Sequence, residues 1–371
     1  MRYLNYLSLQ ATREGQASHA HVYEIIKGLK KRGWNISLFE PSYAGSSKMP
    51  GALKRSIEFI KVQIRMLFSW IRNKPNILYI RHHFASWPVA LAARVLGIPV
   101  VQEINGPYED LFIAWPVTRK FKSIFIWQMR SQLRWADAVI AVTEQLAEWA
   151  NREGARNVYV VPNGANTELF HPDAIPDPEL ELPKSYVVFF GALAPWQGIE
   201  TMVRSVEEHE WPLNVQLVIV GDGIERFKVE AAAARSSAIH YLGPQPYNKM
   251  PGIVANSISS MSPQNDLMGR ASKTGLFPLK VFESMACGVP VIVSDYPGMA
   301  DMVRECGCGL VVPPGDPKAL AAAVRELYLD EKRRVEMGKK GREAVLSNYS
   351  WDKRAEETEN ILLSLLRGQK R

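Results

Sequence analysis

The strongest constraint on this chain is a rhythm. Short, wholly apolar runs alternate with helical patterns, pause, and then begin again. In the first half, Tyr3 to Leu9, Asn35 to Phe39, Ile77 to Ile80, Val100 to Ile104, Ala138 to Val142 and Val158 to Val161 read as strands. Helical patterns fill the gaps at about 19–31, 53–72, 88–96, 119–134 and 144–152, and Gly33 stops the first of them. Strands that are apolar on both faces, separated by helices, predict a parallel sheet covered on both sides. Right-handed crossovers make such a sheet doubly wound. The rhythm restarts with strands at 187–190, 215–220, 239–242, 257–261, 289–293 and 310–312. The halves share this rhythm without sharing sequence.

At 371 residues the chain is long for a single core. The expectation is α/β: two Rossmann-like doubly wound domains facing across a cleft, residues 1–171 and 184–350. The stretch His171-Pro172-Asp173-Ala174-Ile175-Pro176-Asp177-Pro178 between them has a linker composition. Residues 351–371 form a last amphipathic helix with no strand after it. Ligands of such sheets bind outside the carboxyl ends of the strands. Gly15, Gly191, Trp196-Gln197-Gly198, Gly221-Asp222-Gly223 and Gly243 all follow strands.

Apolar residues make up 47% and charged residues 22%, a globular profile. No apolar run is long enough to span a bilayer, and the amino terminus lacks a signal-peptide pattern. Three cysteines are too few for a disulfide framework, so a reduced, cytoplasmic setting is expected. The net charge of +7 comes with no nucleic-acid module, and no nucleic-acid partner is expected. Basic residues mix with bulky apolar ones at 54–72 and 119–134. Two readings stand for these stretches: helices lying on an anionic membrane surface, or helices packed on their own sheet with a solvated basic face.

The segment Phe277-Pro278-Leu279-Lys280-Val281-Phe282-Glu283-Ser284-Met285-Ala286-Cys287-Gly288 carries the most chemistry. Pro278 suits a helix start and Gly288 a helix end. Lys280 and Glu283, three apart, share a face near the amino end. Free N–H groups and a partial positive charge there attract an anion. A lysine added to them makes a phosphate seat, and a carboxylate beside it suits a ribose diol.

Several fragments resemble retaining glycosyltransferases of the two-domain B type, group 1, the family 4-like enzymes. They are Ala136-Asp137-Ala138-Val139-Ile140-Ala141-Val142-Thr143, Val161-Pro162-Asn163-Gly164-Ala165-Asn166, Val220-Gly221-Asp222-Gly223 and His240-Tyr241-Leu242-Gly243, in that order along nearly the whole chain. Pro195-Trp196-Gln197-Gly198, Pro278-Leu279-Lys280 and Gln102-Glu103-Ile104-Asn105-Gly106-Pro107 resemble one subset of that family. The chain departs from the common pattern where Ala192 and Gln197 stand for an arginine and a lysine, Gly275 for a first glutamate and Asn105 for a histidine. The resemblance implies that the last helix crosses back onto the first domain. It also implies a hexose transferred with retention from a UDP- or GDP-sugar to a glycan or lipid-linked acceptor, bound by the first domain. It needs no cofactor and no metal, and no Asp-x-Asp motif is present.

On this reading Lys280 neutralises the diphosphate, with Lys273 and Arg270 in reserve, and Glu283 takes the ribose hydroxyls. Leu279 begins their helix. Gly15, Gly191 and Gly221 admit the phosphates. Trp196 walls the donor or packs under its own loop, and Gln197 bonds a phosphate or a sugar hydroxyl. Gly243 and Tyr247 flank the base. Asn105 borders the acceptor together with Glu103. His82 and His83, adjacent at a strand end, point to opposite sides and make a poor metal pair; one of them faces the cleft, or His19 or His21 does, and His83 is taken as catalytic along with Lys280, Glu283 and Asn105. A sugar-nucleotide epimerase and a non-catalytic sugar-nucleotide-binding subunit are the rival functions.

Overall fold

A computed structural model describes residues 2–13, 17–46, 49–267 and 269–368. Gly15, predicted to admit a phosphate, lies outside them. The chain divides into two compact units. One runs to Pro162 and regains the chain from Asp352; the other is Asn163–Trp351.

The first unit holds β1 (Arg2–Ser8), β2 (Trp34–Phe39), β3 (Ile77–Arg81), β4 (Val100–Ile104), β5 (Ala138–Ala141) and β6 (Val158–Val160). All pair in parallel, in the order β2-β1-β3-β4-β5-β6. The order reverses between β1 and β3, which places a crevice at their carboxyl ends. Every residue of β3, β4 and β5 is buried, the polar Arg81, Gln102 and Glu103 along with the apolar majority. The helix Trp351–Gly368 belongs to this unit from Asp352 onward. Asp352 pairs with Arg32, and Glu359 takes hydrogen bonds from Arg2 and Trp34. Ala355, Ile361 and Leu362 are buried beneath it.

The second unit holds β7 (Tyr186–Phe190), β8 (Gln216–Val220), β9 (Ile239–Gly243), β10 (Ser260–Ser262), β11 (Val291–Ser294) and β12 (Gly309–Val312). Again all are parallel, in the order β12-β11-β10-β7-β8-β9, with the reversal between β7 and β10. One apolar cluster covers each face of this sheet, one around Phe282 and Phe170, the other around Phe189 and Leu320.

Three local expectations change. The stretch expected as one helix at 119–134 is a 3-10 segment, Pro116–Phe121, followed by the helix Lys122–Trp135, because Pro116 opens a turn of its own. The strand expected at 257–261 is only Ser260–Ser262, and the one expected at 289–293 begins at Val291, after Pro290. The chain enters the second unit at Asn163, ahead of the proline-rich stretch. Asn163 Nδ2 donates to the Phe277 carbonyl at 2.7 Å, and Ala165 pairs with Ser350. The acidic stretch is itself tied down, Asp177 meeting Lys249 at 2.6 Å.

Candidate active site

In the second unit the chemistry gathers where the strand order reverses. The helix Leu279–Ala286 starts after Pro278, which is its cap (φ −69°, ψ 136°) and so one residue earlier than its first turn. No side chain caps this amino end, so its free N–H groups are available to an anion. Gly288 (φ +70°) ends the helix in the left-handed conformation. Arg342 Nη1 donates to the Ala286 carbonyl at 2.7 Å and to that of Phe170 at 2.9 Å, satisfying the helix's carboxyl end.

Lys280 and Glu283 are both nearly buried, 8% and 5% exposed. Lys280 Nζ lies 3.8 Å above the Phe189 ring centre and donates to Gln197 Oε1 at 2.7 Å. Gln264 Nε2 donates to the same oxygen at 3.1 Å. The uncharged Gln197 thus holds the lysine head in place. A Cβ on Gly191 would come within 3.2 Å of that ammonium, so the exit of β7 passes directly by it. Gly221 (φ +142°) has no room either, since a Cβ there would lie 1.9 Å from the Gly191 carbonyl oxygen. Gly191 N–H donates to Val220 and Gly221 N–H to Gly243, each to the carbonyl, so three strand exits are tied together.

Burial pushes the Lys280 ammonium down to about 7, partly opposed by the Glu283 charge. Burial pushes Glu283 up to about 7, opposed by the Tyr247 hydroxyl and by Lys280. Tyr247 donates to Glu283 Oε1 at 2.6 Å, a role beyond the packing its loop position suggests. Leu279 is buried at the helix start. Trp196 is 45% exposed, so it is not packed under its own loop. Its loop is pinned to the exit of β10: Asn265 N–H donates to the Trp196 carbonyl, and a Cβ on Gly198 would lie 1.5 Å from the Pro263 oxygen. Lys273 and Arg270 sit on the short helix Arg270–Thr274, where Lys273 is exposed. Asp266 caps that helix. Gly275 ends it at φ 67°, a conformation unfavourable for the glutamate that the resemblance would place there.

The first unit has its own cavity at the β1/β3 reversal, about 360 Å³. Gln10, His82, His83 and Asn105 reach it from strand exits; Arg55, Phe59 and Trp115 close it from the side. Both histidines line it, contrary to the expected alternation, because β3 ends at Arg81 and strand geometry does not extend past it. His83 is partly committed: its Nδ1 accepts from the Ala85 N–H at 3.2 Å and caps a short turn. Glu103 does not follow β4 but lies within it, fully buried. Its carboxylate accepts from Arg81 (2.7 Å), Tyr79 (2.8 Å), Asn105 Nδ2 (2.9 Å) and Tyr6 (3.1 Å), and His21 Nε2 is 3.0 Å away. Burial alone would raise this carboxyl; His21 and Arg81 outweigh it and hold it well below the usual carboxylate range. Glu103 therefore organises the cavity wall from behind and does not border it. Among the described residues no three His, Cys, Asp or Glu side chains gather as a metal cluster.

With this geometry in hand, comparison with known proteins is decisive. The family model described as Glycosyl transferases group 1 matches residues 172–344, and Glycosyltransferase Family 4 matches 18–169. The chain belongs to the group 1 glycosyltransferases. Among curated relatives, alpha-maltose-1-phosphate synthase of Mycolicibacterium smegmatis is 29% identical over 262 residues, 63% of this chain and 65% of that protein. The GDP-mannose-dependent alpha-(1-6)-phosphatidylinositol monomannoside mannosyltransferase of Mycobacterium tuberculosis is 29% identical over 219 residues, 56% of each chain. The chain thus spans between about half and two thirds of these glycosyltransferases' lengths. Sucrose-phosphate synthase from Thermosynechococcus elongatus shares the fold, with a TM-score of 0.82 over 99% of this chain and 100% of that one, at 20% identity. Anabaena HepE in complex with UDP-glucose gives a TM-score of 0.71 over 98% of this chain and 100% of that one, at 16% identity.

Proposed function

We propose that this glycosyltransferase moves a hexose from a UDP- or GDP-sugar to a glycan or lipid-linked acceptor, with retention and without a divalent ion. The observation that carries this reading is the buried Lys280 ammonium, held by Gln197 beside Gly191 at the uncapped start of its own helix. A diphosphate seated there takes a charge-assisted hydrogen bond from Lys280, worth about 1.5–3 kcal/mol. It also takes backbone N–H donors that are already oriented. Glu283, released from Tyr247, accepts the ribose hydroxyls. As the glycosidic bond to the diphosphate breaks, Lys280 and the helix end stabilise the leaving charge. The departing phosphate oxygen takes the acceptor's proton on the same face, so no carboxylate nucleophile is required. The first unit's cavity holds the acceptor, with Asn105 and His83 on its wall. A GDP-mannose-dependent relative and a structural neighbour in complex with UDP-glucose agree with such a donor.

The test is incubation with UDP-glucose and GDP-mannose. Transfer or slow donor hydrolysis supports the reading; epimerised sugar, or binding alone, selects the corresponding rival. Lys280→Ala should weaken nucleoside diphosphate binding about tenfold or more, since 1.4 kcal/mol is a factor of ten. Unchanged affinity by calorimetry removes Lys280 from the seat.

A second reading concerns location: the first unit docks on an anionic membrane surface at the cytoplasmic face. It rests on an exposed stripe of Leu53, Ile57, Ile60, Ile64, Phe68 and Ile71 along the helix Ala52–Arg72. No helix among the described residues is long and apolar enough to cross a membrane.

A further inference from the structure

The first unit's cavity says more about its occupant, given the reading above that this unit takes the acceptor. A relay of amides runs behind its wall. Gln132 Nε2 donates to two backbone carbonyls, those of His83 at 3.2 Å and Gln128 at 3.3 Å. A carbonyl only accepts, so these bonds decide which end of the Gln132 amide is nitrogen. Its Oε1 then faces Gln102 Nε2, 3.5 Å away, and also accepts from Ser86 Oγ at 2.8 Å. With its nitrogen turned that way, Gln102 presents Oε1 to His82 Nδ1 at 2.9 Å. Two lone pairs make no hydrogen bond, so Nδ1 carries the proton and Nε2 of the neutral ring is bare. That Nε2 is buried and has no hydrogen-bond partner among the described residues. His82 itself is 8% exposed and lines the cavity.

We propose that the cavity seats a sugar ring of the acceptor, and that His82 Nε2 accepts the hydrogen of one of its hydroxyls. The polar lining is mixed in sign. His82 Nε2 offers a lone pair. So does Asn105 Oδ1, because the amide's nitrogen is engaged by Glu103. His83 offers an N–H, because its Nδ1 already accepts from Ala85. Lone pairs and N–H groups side by side suit hydroxyls, which both donate and accept. A fully ionised phosphate has no hydrogen to give these two lone pairs, while Arg55 and Asp110, one charge of each sign, also line the cavity. Its apolar walls include Phe59, Leu111, Met129 and Trp115, the last of these under the Arg55 guanidinium at 3.9 Å. Aromatic faces of this kind pack against the C–H face of a pyranose. At about 360 Å³ the cavity lies at the small end of ligand sites and has room for a sugar ring. Burial holds the His82 imidazolium down to about 4, so the ring stays neutral at working pH and is a weak base. Its work is to orient the attacking hydroxyl, while the proton goes to the leaving diphosphate.

Two measurements test this. In nitrogen-15 NMR of the intact protein, His82 should show a protonated Nδ1 and a bare Nε2. Methyl α-D-glucopyranoside should shift the Nε2 resonance toward the hydrogen-bonded value, and inorganic phosphate should not. A protonated Nε2, or no response to the glycoside, overturns the proposal. In the second, His82→Phe should cut transfer to a glycoside acceptor at least tenfold, with the loss in KM rather than in kcat. His82→Gln, which restores an acceptor oxygen, should recover part of the loss. Wild-type transfer by a folded His82→Phe variant overturns the proposal as well. If the wild-type protein neither transfers nor hydrolyses any donor, the transferase reading falls, and the NMR result alone decides His82.

Discussion

Lys280 and Glu283 are two opposite charges buried side by side, each brought to about 7 from opposite directions. Their protons should therefore report on donor binding. A nucleoside diphosphate sugar carries no titrating phosphate near neutrality. Its diphosphate favours charged Lys280 and raises that group's pKa, so protons are taken up above pH 7. Its ribose hydroxyls favour charged Glu283 and lower that pKa, so protons are released below pH 7. Calorimetry of UDP-glucose or GDP-mannose in buffers of different ionisation heat should show release at pH 6, uptake at pH 8 and a crossing near neutrality. Lys280→Met should abolish the uptake. Uptake that persists in this variant places the titrating group elsewhere. These two residues were legible because their spacing sits at a recognisable helix start. The role of Gln197 was not, since an amide in a charge-binding loop reads as a loss until Lys280 is seen to lean on it. For a related reason the sequence does not single out His82 from His83. Strand alternation assigns the two to opposite sides, but β3 stops at Arg81, and what frees His82 Nε2 is a relay through Gln102 and Gln132 that no local pattern reveals.

The helix Ala52–Arg72 carries two apolar stripes. Val62, Met66 and Trp70 face the core, and the Leu53-to-Ile71 stripe faces outward. Lys54, Lys61, Arg65 and Arg72 are exposed beside it. A helix needs one apolar face to pack on its sheet; the second has no such use. Trp115, Val117, Phe121, Ile124 and Trp127 add exposed apolar surface, and the Arg55–Trp115 stack joins the two stretches beside the cavity. The protein should float with anionic vesicles at low salt and detach at high salt. Ile60→Asp with Phe68→Asp should abolish flotation and leave the melting temperature nearly unchanged, because neither side chain is buried. Flotation equal to wild type would remove this face from the contact. The basic-apolar mixture was visible in the sequence, whereas the division between core and outer stripe needed the fold. Short strands behaved differently. β10 keeps only three residues, and the wholly apolar run starting at Val289 hid the fact that Pro290 cannot join a ladder from inside.

At the scale of the whole molecule, the chain builds its second unit entirely between Asn163 and Trp351 and then returns to finish the first. The last helix is not an appendage. Ala355, Thr358, Ile361 and Leu362 are buried, and Glu359 joins Arg2 and Trp34 from the edge of the first sheet. Burying Ile361 and Leu362 alone contributes roughly 1.5–3 kcal/mol each, a large share of the ~5–15 kcal/mol that keeps a domain folded. A chain ending at Trp351 should therefore lose the first unit selectively. Hydrogen exchange should show β1–β6 unprotected and β7–β12 still protected. UDP-glucose or GDP-mannose should still slow exchange around Leu279–Ala286, because Lys280, Gly191 and Gly221 all lie in the second unit. Loss of protection throughout both sheets would mean that the units do not fold independently. Retained protection of β1 and β2 would mean that the returning helix covers the first unit without supporting it. The doubly wound rhythm made two sheets legible in advance; that the helix Trp351–Gly368 completes the first unit follows from which groups that helix buries.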